Sequence, residues 1–482
     1  MGSPSSSQGG HKELKVNRLF LLNVLLMPFL LLACSLPVIP SPAVSQPDYG
    51  LRLYVQPLPQ EAQNLTLTLA DFAAIRADGV PVPLRTSPLK LDGNRMMEMQ
   101  KRLLAKPLPP GDYQGLSLRV ANAELRTDEG MISLLVTEEP FVLKEDFRVL
   151  PDSALALFLA LEPQRLVTDG YMLTPLFSLW KSRPALPELK GLISNSDAGT
   201  LSVFEKRSSQ VVGVLTVGRQ PKGLALDTRQ RRAYVALAGD DSLAVIDLIN
   251  EKVQDKLRLR AGDGPSELAI SPDGGTLVTA NAATASLSIV STSPLAEQGR
   301  LLLTTAPGSV FFGPASTLVY LLQPDINALA LVDTHRQDII ASANLEFSPI
   351  RGTASPDGRL LYLITDDSPY LLVLDAASLR ITDRILVGYG ARSLAVHPHS
   401  GLVYVGMASG EIAFIDPALS LPIDTLQGDE EAVWLHVDLE ENALFVVSAR
   451  HNRVAKYDLV SKKRLGLLEA EAGSYAAVLM GD

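Results

Sequence analysis

The sequence predicts an all-β protein: a β-sandwich-like domain over 48–185, then a seven-bladed β-propeller over 190–482 closed by strands from both ends. Three observations predict it. An alternating strand that ends in an acid or its substitute recurs seven times after residue 190. The region before it alternates with period two but does not repeat. The last residues, SYAAVLM (474–480), have the pattern of the one strand that the first repeat lacks.

The repeat markers are LSVFE (Glu205), LAVID (Asp247), LSIVS (Ser291), LALVD (Asp333), LLVLD (Asp375), IAFID (Asp416) and VAKYD (Asp458), spaced by 42, 44, 42, 42, 41 and 42 residues. A second strand precedes each of them, as in AYVAL (233–237), LVYLL (318–322) and LLYLI (360–364). An apolar strand and turn come earlier still, as in LAISPDGG (268–275). Units of about 40–45 residues with three or four strands each are propeller blades. One blade alone leaves both faces bare, whereas packing blades around an axis covers them. The first unit begins at its second strand, GLISN (191–195), so SYAAVLM is expected to supply its inner strand and remove a free edge.

VGRQPKGLALD (217–227) and DGPSELAISPDGGTLVTANAATASLSIV (263–290) carry a further signal. They resemble the YVTN surface-layer type of propeller, a likeness that specifies a fold and no ligand. The third unit departs from the pattern at Ser291, and the fourth lacks SPDG.

In the N-terminal region LRLYV (51–55) and NLTLTL (64–69) alternate as half-buried strands do, while 95–104 reads as helical. Pro and Gly in LPPGDYQGLSLRV (108–120) make a turn that launches a strand. That phrase resembles the turn-strand of transthyretin-like sandwiches, and the whole segment is similar to an uncharacterised domain of bacterial lipoproteins. Phe177 and Trp180 are expected to end its core.

The N-terminus reads as an export signal. Lys12, Lys15 and Arg18 precede the apolar LFLLNVLLMPFLLLA (19–33), which is shorter than the roughly 20 residues of a spanning helix. Leu31-Leu32-Ala33-Cys34 resembles the bacterial lipobox. The resemblance implies removal of 1–33, lipidation of Cys34, which is the sole cysteine, and membrane attachment through that lipid; Ser35 points to the outer membrane. Residues 34–47 are a Pro-rich tether. The chain carries a net charge of −10, and −12 without 1–33, which disfavours nucleic-acid binding.

No complete active site is legible. The six histidines share no spacing, and HExxH, CxxCH, P-loop and GxSxG motifs are absent from the sequence. His397 and His399 occupy HPHSG, where other units have SPDG, and read as turn residues. No cofactor is expected. Acid pairs such as Asp240-Asp241 and Asp366-Asp367 suit either turns or Ca²⁺, with turns favoured because Asp accepts from nearby backbone N–H groups. Loops at one end of the propeller are expected to gather Arg219, Lys222, Asp240, Asp241, Asp325, Arg351, Asp366, Asp367, Arg392, Glu430, Arg450 and His451. Such a charged face suits a polar ligand or a protein partner, making the protein a non-enzymatic binding or scaffold module. The alternative is a hydrolase resembling bacterial propeller lactonases, for which Arg392, Arg450, His451 and Asp366 are the candidate set.

Overall fold

The computed structural model describes residues 50–481 apart from 98, 165, 183, 184, 315 and 316. Contacts divide the chain into 1–45 and 46–482, and every feature below belongs to the second unit. The lipidation expected at Cys34 lies outside the described residues.

Strands and short turns make up the described fold. Blade 1 combines Lys190–Asn195, Thr200–Glu205 and Gln210–Thr216 with Ser474–Leu479 from the other end of the chain. Its inner pairing sets Gly191 opposite Leu479, Leu192 opposite Val478 and Ile193 opposite Ala477. Six further four-stranded antiparallel sheets follow, here blades 2–7. Their inner strands are Pro221–Asp227, Pro265–Ile270, Val310–Phe312, Pro349–Ala354, Ala391–Val396 and Trp434–Asp438. Each inner strand contacts the next, and that of blade 7 contacts Ser474–Leu479, so the ring closes through the C-terminal strand as the sequence predicts. The buried Lys206 side chain reinforces this junction, bonding Asp438 at 3.2 Å, Glu440 at 2.8 Å and the Met480 carbonyl at 3.0 Å.

The recurrent acid has a local cause. Asp247 accepts the N–H groups of Ile249 and Asn250, and Asp333 those of His335 and Arg336. Asp458 accepts those of Val460 and Ser461. Where the marker is an aspartate, the carboxylate thus caps the turn into the outer strand. In SPDG, Ser271 Oγ accepts the Thr276 N–H at 2.9 Å. His397 substitutes for that serine, its Nδ1 facing the N–H groups of His399 and Ser400 at 3.3 and 3.2 Å.

The N-terminal region has two sheets around one apolar core. One orders Phe177–Lys181, Ala154–Leu161, Gly50–Val55 and Lys101–Lys106. The other is six-stranded and centres on Leu65–Arg76 and Gly111–Thr127. Gly115 permits a close approach there: a Cβ would lie 2.1 Å from the Leu143 carbonyl oxygen, and its φ is +155°.

Three expectations are corrected. Residues 95–104 form a 3₁₀ turn, Asn94–Met96, and part of the strand Lys101–Lys106. A register shift opposite Leu53/Tyr54 leaves Leu103 unpaired, and both Leu103 and Leu104 enter the core. That adjacency is what mimics helical spacing. Second, Gly50–Val55 is buried on both faces. Leu51, Leu53 and Val55 fill the sandwich, whereas Tyr54 joins Phe158, Phe204 and Phe445 in a cluster shared with the propeller. Third, Phe177 belongs to the sandwich core, but Trp180 lies on the shared side, its ring 6.2 Å from Phe158. Alternation marks opposite faces of a strand, and here a second domain covers the face expected to meet water.

Polar contacts extend this junction. The Gln100 side-chain amide donates to the Val211 carbonyl and accepts the Val211 N–H, both at 2.9 Å. The Ala154 N–H donates to Thr216 Oγ1 at 2.7 Å.

Candidate functional site

Each blade is an antiparallel meander, so the start of its inner strand lies at the same end as the turn between its second and third strands. Lys222, Arg351 and Arg392 lie near inner-strand starts, and Arg219 and Glu430 lie in the loops entering them. Asp240, Asp241, Asp325, Asp366, Asp367, Arg450 and His451 lie in the turns.

Much of this charge is locally paired. Arg219 Nε donates to Asp240 Oδ1 at 2.6 Å. Asp241 accepts the N–H groups of Gly262 and Gly264 in the next loop at 2.8 and 2.9 Å, and Asp367 accepts that of Ser348 at 2.9 Å. The acid pairs therefore fasten loops to one another. Among the described residues no three His, Cys, Asp or Glu side chains converge as metal ligands do. Arg392 reaches Asp366 at 2.8 Å, while His451 Nδ1 lies 3.1 Å from Glu430 Oε2 and the Arg450 N–H donates to Glu431. The set considered for hydrolysis is thus split between separate partners. Lys222 and Asp325 stand outside these pairs, with Asp325 exposed in a 3₁₀ turn.

A second group, mostly missed in the sequence, lies at the inner strands. Arg351 Nη1 is 3.5 Å from Glu267 Oε1, and the same oxygen accepts the Tyr475 hydroxyl at 2.8 Å. The Arg351 guanidinium sits 4.6 Å from the Trp434 ring centroid. Blades 3, 5, 1 and 7 contribute these four side chains, so the cluster spans the ring and lacks its repeat symmetry. Burial, followed by the Glu267 charge, pushes the Tyr475 hydroxyl well above its usual range and keeps it a donor. Trp434 Nε1 is buried without a hydrogen-bond partner among the described residues. A charge with its counter-charge and an indole donor can together receive a polar group that brings an acceptor.

A glycine makes room for this group. A Cβ on Gly223 would lie 2.9 Å from Glu267 Cα, so blade 2 can bring its inner strand against that of blade 3 only without a side chain there. Register offers the signal that could have revealed the cluster. Glu267, Ser309, Arg351, Ser393 and Trp434 occupy equivalent positions one residue before the aligned Leu268, Val310, Gly352, Leu394 and Leu435. Glu267, Arg351 and Trp434 stand out against the two serines.

Fold and site together define a β-propeller joined to a β-sandwich, with a charged end and a mixed polar cluster among its inner strands. No family model matches the chain, and no curated protein does. Many solved structures are similar, two of which illustrate the likeness. Hydrazine synthase of Kuenenia stuttgartiensis has a TM-score of 0.49 at 19% identity, covering 54% of this chain and 90% of that chain. The dihydro-heme d1 dehydrogenase NirN in complex with DHE has a TM-score of 0.48 at 16% identity, covering 62% and 77%.

Proposed function

We propose that this protein is a non-enzymatic binding or scaffold module of the cell envelope, anchored through lipid on Cys34, which engages a polar ligand or protein partner with the charged end of its propeller. One observation carries the reading: Glu267, Tyr475, Arg351 and Trp434 converge from four blades, where repetition alone would give equivalent side chains. The paired acids at the same end support binding over turnover, because Asp240, Asp241 and Asp367 are engaged in holding loops. The likeness to YVTN repeats and to the lipobox supports an envelope setting. Among the described residues no helix is long and apolar enough to cross a membrane.

The test is capture of envelope proteins by the purified full-length chain. Reversing Arg392 and Arg450 to Glu should weaken capture without lowering Tm, since exposed charges contribute little stability. Undiminished capture by that variant contradicts the reading. Cys34→Ala should abolish fatty-acid labelling, and normal labelling would remove the anchor from the proposal. Added esters and lactones should not turn over. Hydrolysis lost in His451→Ala would favour the lactonase alternative, for which the His451–Glu430 contact of 3.1 Å is the relevant geometry.

A further inference from the structure

Blade 7 carries a cavity of about 230 Å³ against the loop 428–433, and its lining is chemically divided. Its floor is one row across three strands, Val446 opposite Ala455 and Ala455 opposite Leu467. Its polar side has three carboxylates, on Asp429, Glu430 and Glu431, and two guanidinium groups. Both arginines are engaged: Arg464 pairs with Asp429, and Arg453 Nη1 donates to Glu430 Oε1 at 3.0 Å. The lining therefore keeps an excess of negative charge, which disfavours an anion.

Ser448 Oγ and Glu430 Oε2 meet no group in full hydrogen-bond geometry among the described residues, although the Ser448 hydroxyl stands close enough to Glu430 to stabilise its carboxylate. Ser448 is only 4% exposed and lines the cavity. His451 Nδ1 flanks Glu430 Oε2 at 3.1 Å without hydrogen-bond geometry. Burial raises the Glu430 carboxyl, but Ser448, His451 and Arg453 outweigh it and hold the group below its usual range, so it is ionised at neutral pH. A guest that brings several N–H donors would complete the acceptor capacity that these two oxygens keep. The volume lies below the roughly 300–1,000 Å³ of sites for whole drug-sized ligands and suits a single unbranched chain.

We propose that this cavity binds a primary alkylammonium group, its aliphatic stem lying on Val446, Ala455 and Leu467 and its three N–H donors directed at Glu430 and Ser448. This deepens the reading of the charged end as a binding surface and rests on it. The group is supplied either by a free small amine or by a lysine side chain of a protein partner.

Calorimetric titration of the purified full-length protein tests it, with n-butylammonium, its uncharged isostere n-butanol, and Nα-acetyl-lysine amide. Saturable n-butylammonium binding at least tenfold tighter than n-butanol is expected. Glu430→Gln should weaken it tenfold or more. If that variant lowers Tm by releasing Arg453, Ser448→Ala carries the test: unchanged Tm with affinity down threefold or more. Tighter binding of the lysine amide than of n-butylammonium assigns the cavity to a protein partner, and the reverse order assigns it to a free amine. Equal binding of n-butanol, no saturable binding, or Ser448→Ala at wild-type affinity overturns the proposal. If envelope capture fails while ammonium binding survives, only the partner reading falls; the converse removes only this inference.

Discussion

Arg52 in the sandwich and Glu471 in the propeller form a buried ion pair, with Arg52 Nε 3.2 Å from Glu471 Oε2 and side chains 0% and 3% exposed. Tyr54 donates to Glu471 Oε1 at 2.8 Å, and Arg102 Nη1 lies 2.8 Å from the same oxygen. Glu471 sits just before Ser474–Leu479, the strand that closes the ring. The sandwich thus holds the loop on which closure depends. Removing one partner of a buried pair leaves the other uncompensated, at about 3–5 kcal/mol. Glu471→Ala is expected to destabilise by about that amount in urea unfolding, whereas a loss under about 1 kcal/mol would show the pair to be incidental.

The same carboxylate sets a pH dependence. Burial raises the Glu471 carboxyl, yet the charges of Arg102 and Arg52 and the bonds from Arg102 and Tyr54 prevail and hold it below the ordinary range. A group lowered in the folded state contributes stability above its unfolded pKa, roughly 4.3 for glutamate, and loses it as pH falls through the folded value. Unfolding free energy should therefore drop below about pH 4 more steeply in the wild type than in Glu471→Gln, as measured by urea titration across pH 3–6.

The closing strand yields a third expectation. Deleting 474–482 leaves Lys190–Asn195 unpaired along its inner edge and bares the adjoining faces of blades 2 and 7. Loss of solubility or of a single cooperative transition is expected. A truncated chain that melts as the full one does would mean the strand is dispensable.

The inner-strand cluster can be read optically, because the chain has two tryptophans. In a Trp180→Phe background Trp434 is the sole tryptophan, excited selectively over the tyrosines at the red edge of absorption, with Arg351 over its ring at 4.6 Å. Glu267→Gln removes the counter-charge that positions Arg351 and should shift Trp434 emission. Tyr475→Phe should cost about 0.5–1.5 kcal/mol in urea unfolding, the usual range for one hydrogen bond. Unchanged emission in Glu267→Gln would mean that Arg351 is held without it.

Most of the propeller was legible because its determinants are local and repeated. The aspartate that ends most third strands caps a turn within three residues, as Asp247 does through Ile249 and Asn250, and the spacing of such markers reports blade length. Ring closure was legible too, since an incomplete first unit and a spare strand define each other. The double burial of Tyr54 and the turn of Trp180 toward the propeller were not legible. Both depend on which domain covers a sheet face, and alternation cannot report that. Glu267 and Tyr475 meet across 208 positions of sequence, so only aligned registers hint at their convergence. Arg351 was singled out as a charge on an end face, but its partners were not.

The most direct test of the charged end as the binding surface is site-specific photo-crosslinking of the full-length protein in native envelopes. Photoreactive residues replace Lys222 and Arg392 at that end, and Asn250 at the opposite end, in the turn between the third and fourth strands of blade 2. The account predicts discrete adducts from positions 222 and 392 and none from 250. Adducts from 250 alone, or an equal pattern from all three, would contradict it.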